Sequence, residues 1–170
     1  IYDESYYPMK MDYTRFVIIP SKVKHNNIEY TVTAIGDSAF YRNWEITNIS
    51  ISGSVTSIGK YAFYGCSVIE RIILPNNITE IKEGAFSGCN FLEEIHLPKN
   101  LNRIENKTFE GCYKLENITL PQELTTIGDS AFNGCSALQS VDLPETLATI
   151  GEAAFCECKS LSSITIPDSV

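Results

Sequence analysis

Histidine is nearly absent from this chain, and so is any surplus of basic charge. The two histidines are His25 and His96. A nucleophile–histidine–acid arrangement needs a histidine held between its two partners. His25 lies in a turn-forming His-Asn-Asn stretch and His96 at an outward strand position, so neither suits that role. The acidic residues are dispersed, without the paired carboxylates that glycosidases use. Glycines occur singly and form no phosphate-binding loop. No enzymatic activity and no cofactor is expected. Lys and Arg number 13 against 21 Asp and Glu, a formal charge of −8. Nucleic acids and anionic membranes recruit clustered basic side chains, so neither is the expected partner. No apolar run approaches the roughly 18 residues of a membrane span; the longest, Phe16 to Ile19, is strand-sized. Wholesale disorder is disfavoured as well, because 44% of the residues are apolar and only 20% charged.

What the chain has in abundance is repetition. Phe40, Phe63, Phe86, Phe109, Phe132 and Phe155 fall 23 residues apart without a slip. So do Cys66, Cys89, Cys112, Cys135 and Cys158, and so do Pro75, Pro98, Pro121, Pro144 and Pro167. A fixed period of this length is the signature of a solenoid, in which each repeat buries its apolar face against its neighbours. Six repeats are expected, at 32–54, 55–77, 78–100, 101–123, 124–146 and 147–169. The second half of each alternates apolar and polar residues, as in Leu138 to Leu143, and predicts a half-buried strand. Equivalent strands are expected at Ile46–Ile51, Ile69–Leu74, Leu92–Leu97, Leu115–Leu120 and Leu161–Ile166. Stacked about 4.8 Å apart, they make a parallel sheet of six strands. Proline ends each strand, and a second apolar pair, such as Leu124 and Ile127, predicts a short extended segment on the opposite wall. Gly36, Gly59, Gly128 and Gly151 follow it, where a sharp turn or a positive φ is expected. Ala-Phe-x-Gly-Cys is then expected to form a turn of helix or 3-10 structure that sends Phe inward.

Residues 1–31 do not fit the period. Tyr13 to Ile19 reads as a strand, Pro20 as its end, His25-Asn26-Asn27 as a turn and Ile28 to Val32 as the returning strand. A solenoid's first coil needs cover, so this segment is expected to be an N-terminal capping β-hairpin. The chain opens on Ile1 rather than Met, and Val170 takes the place of Leu147 in a further repeat. Both ends therefore read as cut, with the repeats truncated at the C-terminus.

Ile127-Gly128-Asp-Ser-Ala131-Phe132-Asn-Gly134-Cys135-Ser-Ala-Leu138-Gln-Ser-Val141-Asp-Leu143-Pro144 resembles the BspA-type leucine-rich repeat at nearly every fixed position. The resemblance covers residues 32–170. It implies a leucine-rich-repeat solenoid, a right-handed α/β-type superhelix that is mainly β. It also implies a large surface-exposed or secreted protein of bacteria or protozoa that takes part in adhesion. The implied partner is a host matrix or surface protein, or another cell's surface. The sequence departs from the commoner leucine-rich consensus, whose Asn or Cys slot here holds Ser54, Asn77, Asn100, Glu123, Thr146 and Ser169.

The ladder cysteines are expected to be buried free thiols, because stacked side chains point the same way and four metal ligands would have to converge. Cys156-Glu-Cys158 is the one local pair. The sequons at Asn48, Asn77, Asn106 and Asn117 mean little outside a eukaryotic secretory route. The candidate protein-binding face is the outward side of the strands. One row is Asn48, Arg71, Glu94, Asn117, Ser140 and Ser163; the other is Ser50, Ile73, His96, Thr119, Asp142 and Thr165. Solenoids bind protein on such extended sheet faces, yet the same rows also read as merely soluble positions, with no aromatic cluster among them. Trp44, Tyr41, Tyr64, Tyr113 and Phe91, in the turns after the ladder Phe, form a competing aromatic edge. The leading reading is a non-enzymatic protein-binding scaffold; a spacer without a ligand and an intracellular scaffold are the alternatives.

Overall fold

The computed structural model describes residues 15–170. The first half of the expected cap, residues 1–14, lies outside them. Among the described residues thirteen strands run in chain order. They are β1 (Arg15–Ile19), β2 (Lys22–His25), β3 (Ile28–Thr31), β4 (Ala34–Ile35), β5 (Ile46–Ile51), β6 (Ser57–Ile58) and β7 (Arg71–Ile73). Then come β8 (Glu80–Ile81), β9 (Glu94–His96), β10 (Arg103–Ile104), β11 (Asn117–Thr119), β12 (Thr126–Ile127) and β13 (Thr149–Ile150). Consecutive coils share one continuous interior. Phe63, Phe86, Phe109 and Phe132 are fully buried, and neighbouring rings of the six-membered phenylalanine column stack 5.1–5.6 Å apart within 11° of parallel. Each coil is closed by three walls.

The strand wall is a parallel sheet in the order β1-β5-β7-β9-β11. Its inward residues, Ile49, Ile72, Ile95 and Ile118, are buried. The expected strands at 138–143 and 161–166 do not continue the ladder, beyond one bridge between Asn117 and Ser140. Ser140, Asp142 and the paired Ser162-Ser163 stand there, and such residues form strands poorly. The place of a further strand is taken by β1. Val17 pairs with Ile49 and Ile19 with Ile51, so β1 is a coil strand rather than one arm of a cap. The hairpin is instead β2 with β3, antiparallel, turning at Asn26 and Asn27 with φ of 49° and 61°. Two consecutive positive φ values suit the right-handed twist of a tight hairpin.

The second wall is the opposite extended segment, divided into the sheets β4-β6-β8 and β10-β12-β13. Gly36, Gly59, Gly128 and Gly151 are not in the left-handed region, contrary to the positive φ allowed for them. Close approach explains three of these glycines. A Cβ on Gly59 or on Gly151 would lie 2.5 Å from the backbone nitrogen of Asp37 or Asp129 in the preceding coil. At Gly128 it would meet Asn106 in the same way. Those three Asx side chains tie the coils together. Asp37 Oδ1 accepts the Lys60 N–H (2.8 Å), Asn106 Oδ1 that of Asp129 (2.9 Å) and Asp129 Oδ1 that of Glu152 (2.9 Å).

The third wall is the Ala-Phe-x-Gly-Cys segment. It contains hydrogen-bonded turns but neither α-helix nor 3-10 helix, which corrects the expected helical turn. Its amides alternate in direction. Ala62, Tyr64 and Cys66 donate to carbonyls three residues back, whereas Tyr61, Phe63 and Gly65 donate to Glu83, Ala85 and Ser87 of the next coil. A helix would satisfy every amide inside the coil; here half of them join the coils. The alternation needs left-handed residues at regular intervals. One set is Ser38, Tyr61, Gly84, Lys107, Ser130 and Ala153; the other is Arg42, Gly65, Gly88, Gly111, Gly134 and Glu157.

Candidate functional site

The strand wall brings the predicted rows together in part. Asn48, Arg71, Glu94, Asn117 and Ser140 stand opposite one another across successive strands, as do Ser50 with Ile73 and His96 with Thr119. Ser163 and Thr165 lie beyond the ladder. Asn48 and Ser50 are half-buried and the other ten residues are exposed. Glu94 pairs with His96 at 3.7 Å. The rows also gain two members. Phe16 stands opposite Asn48 and Ile18 opposite Ser50, so both project from the same face. With Ile73 they form an exposed apolar group, at 56%, 67% and 67% exposure. A shallow hollow of about 220 Å³ lies between Phe16, Arg71, Ile73, Glu94 and His96. Sequence reasoning placed Phe16 in the cap and missed this group. The signal was Val17-Ile18-Ile19-Pro20, which matches Ile72-Ile73-Leu74-Pro75 of the repeat. The inserted hairpin displaces it from the 23-residue period.

The turn wall carries the aromatic edge. Tyr41 stacks on Tyr64 at 4.8 Å, and Arg42 lies 5.5 and 6.0 Å from the two ring centres, within cation–π range. Tyr61 meets Tyr64 edge-on, and its hydroxyl donates to Glu83 (2.9 Å), which also ion-pairs Lys60 (3.2 Å). These bonds hold the Glu83 carboxyl below its ordinary value of 4.5. Trp44, Phe91 and Tyr113 are exposed further along the same turns.

The ladder cysteines are free, buried and oriented alike. Each thiol donates to the Phe carbonyl of the preceding coil, from Cys66 to Phe40 (2.9 Å) through Cys158 to Phe132 (3.2 Å). Burial pushes the thiols of Cys66 and Cys158 from 9.0 up to about 11, and those of Cys89, Cys112 and Cys135 higher still. Thiols kept protonated are poor nucleophiles and poor metal ligands. Cys156 is free and exposed. Ser54, Thr146 and Ser169 fill the slot of the usual leucine-rich asparagine. Their hydroxyls donate to the carbonyls of Val32, Leu124 and Leu147, the first residues of the same repeats, at 2.6–2.8 Å.

A stacked parallel strand wall, a short opposite ladder and a 23-residue coil define a leucine-rich repeat scaffold. Six copies of the BspA type leucine rich repeat region match at residues 19–116 and 58–170, and the chain belongs to that family. No curated protein matches the sequence. A crystal structure of a leucine-rich repeat protein from Bacteroides ovatus is similar, with 34% identity and a TM-score of 0.77 over 91% of this chain and 46% of that one. A leucine rich cell surface protein from Faecalibacterium prausnitzii shares 31% identity, with a TM-score of 0.69 over 88% of this chain and 47% of that one. The chain thus spans about half the length of these two relatives. A leucine rich repeat protein of T. pallidum shares 26% identity, with a TM-score of 0.67 over 88% and 78%. Among the described residues no helix is long and apolar enough to cross a membrane.

Proposed function

We propose that this chain is a protein-binding module of a bacterial cell-surface or secreted protein and serves adhesion to a host or neighbouring cell. Its binding face is the N-terminal part of the strand wall. The observation that carries this reading is the exposed group of Phe16, Ile18 and Ile73, rimmed by Arg71, Glu94 and His96. Large apolar side chains set in a polar rim are the usual anatomy of an interface centre. The occupant that fits is a protein segment with apolar anchors and basic flanks, since the chain carries a net charge of −8. The cell-surface description of the Faecalibacterium relative supports the location. The cooler positions of the rows, Asn117, Thr119, Ser140, Asp142, Ser163 and Thr165, extend the face without anchoring it.

Beads coated with the protein and presented to cultured epithelial cells test the idea. Wild-type beads are expected to adhere, and the Phe16→Ser, Ile18→Ser, Ile73→Ser variant to lose most adherence with its melting temperature unchanged. A second variant, Arg71→Ala with Glu94→Ala, is expected to weaken adherence less. Full adherence of the triple variant would move binding to the aromatic edge. Absence of adherence in the wild type would favour a spacer.

A further inference from the structure

The turn wall holds a hollow that the strand-face reading does not use. It has a volume of about 400 Å³ and is built from the last three coils. Tyr113, which is 53% exposed, lines it together with Glu110, Asn133, Ser136, Glu157 and Lys159. The ring lies close to the main chain of two glycines. A Cβ on Gly134 would lie 3.6 Å from Tyr113 Cε1, and one on Gly111 would lie 3.9 Å from its Cζ, so the ring rests on two glycine backbones. The local chain is held as well. The Tyr113 amide donates to the Gly111 carbonyl (2.9 Å), and its own carbonyl accepts Ser136 Oγ (3.3 Å) and the Ala137 amide (3.2 Å). An exposed aromatic ring thus lies against two glycine backbones on a hydrogen-bonded chain segment, with polar side chains lining the same hollow.

We infer that this hollow is a subsite for a neutral carbohydrate, one pyranose ring stacking on Tyr113 and its hydroxyls meeting Glu110, Asn133 and Glu157. The face of an aromatic ring is electron-rich and attracts polarised C–H bonds, which a pyranose presents on one face while its hydroxyls point outward around the rim. Carboxylates accept from hydroxyls, and an amide both donates and accepts. Those are the groups around Tyr113 here. Other ligand classes fit less well. Two carboxylates in the wall and the net charge of −8 repel a nucleotide or an acidic glycan. Glu157 already pairs with Lys159 (3.1 Å), which leaves too few free carboxylates for a metal ion. A peptide side chain would find one aromatic ring and no apolar pocket around it. The volume lies within the range of small-ligand sites. The repeat supplies the parts in register: Glu110 and Asn133 occupy one position of successive coils, and Tyr113, Ser136 and Lys159 another.

The test uses the whole chain and three neutral trisaccharides, chitotriose, cellotriose and maltotriose, with a hyaluronan tetrasaccharide as the anionic comparison. Saturation-transfer NMR and calorimetry read the binding. At least one neutral trisaccharide is expected to bind with a Kd below about 10 mM, and the hyaluronan fragment more weakly. Tyr113→Ala should weaken that binding at least about tenfold, Tyr113→Phe should largely keep it, and Asn133→Ala should weaken it in part. The Phe16→Ser, Ile18→Ser, Ile73→Ser variant should bind sugar like the wild type, which separates this site from the strand face. Failure of all three trisaccharides, preference for the anionic one, or unchanged binding by Tyr113→Ala would overturn the inference.

Discussion

The turn wall and the second wall stack the same six coils by different means. The turn wall is unbroken. At all five junctions three amides of one coil donate to carbonyls of the next, including Gly84 to Asn106, Phe86 to Thr108 and Gly88 to Glu110 in the middle of the molecule. The second wall fails at that same junction, where β8 and β10 do not pair. Elsewhere on this wall the residue at the glycine position donates to the isoleucine of the preceding coil. The distance is 2.8 Å from Gly59, Gly128 and Gly151, and 3.0 Å from Lys82. At the broken junction Glu105 stands at the glycine position and Glu83 at the Asx position of the coil before it. A missing Cβ and an Asx acceptor therefore go together. Asp37 precedes Gly59, Asn106 precedes Gly128 and Asp129 precedes Gly151, while Lys60 precedes Lys82 and Glu83 precedes Glu105. The turn wall, tied by backbone bonds, accepts unlike side chains as long as its left-handed positions keep a positive φ. The side-chain tie of the second wall is written in pairs of residues, one in each of two neighbouring coils, while β6 and β8 pair through backbone bonds without one.

The comparison is broken most severely by removing what both walls rest on. Phe109→Ala should cost about 3–5 kcal/mol, because the ring is fully buried and stacked on both sides; a urea titration measures it. Alkali should come next and act from the turn side. The Cys66 thiol has its folded value raised from 9.0 to about 11, so the unfolded chain loses that proton first as pH rises. Stability is complete below pH 9 and falls between 9 and about 11, by of order 2 kcal/mol for Cys66 alone. Urea midpoints at pH 7, 9 and 11 would show the fall, and a flat profile would contradict buried neutral thiols. Gly128→Val should cost about 1–3 kcal/mol by forcing a side chain against Asn106, with hydrogen exchange rising in β10 and β12 while the turn wall stays protected. The smallest effect sharpens the contrast. Glu105→Gly with Glu83→Asn should create the missing tie, seen as new protection of the residue 105 amide, with its gain of about 1 kcal/mol offset by the lost contacts of Glu83 with Tyr61 and Lys60 and of Glu105 with Arg103. No change would mean that another feature splits the wall.

The strand wall and the buried columns were legible because the period places similar residues at one position of the coil five or six times. Phe, Cys and the strand isoleucines repeat in chemistry as well as in position. The left-handed column was not legible. Ser38, Tyr61, Lys107, Ser130 and Ala153 share no chemistry, and only Gly84 among them signals a positive φ. Their conformation follows from the alternating direction of the amides, a property of two coils and not of one. For the same reason a single repeat carries the pattern of a helical turn, while two stacked repeats form hydrogen-bonded turns instead. The apolar anchors Phe16 and Ile18 were hidden by an insertion, since β2 and β3 push their strand out of phase with the coils that follow. Tyr113 was visible as an aromatic, but its place against Gly111 and Gly134 belongs to two neighbouring coils and not to one.

The thiol-to-carbonyl bond of the Phe and Cys columns links each coil only to the one before it. Such a link is a ruler with identical divisions. Excising one whole division, such as residues 101–123, would bring Leu124 onto the coil that Leu101 had covered and re-form the same contacts. Excising one residue more or fewer would throw later side chains off their columns unless a turn absorbed the difference, as the β2–β3 hairpin does in the first coil. Length in this architecture is therefore free to vary in whole steps, and the reach of the molecule can change through duplication or loss of units while each surviving unit keeps its shape.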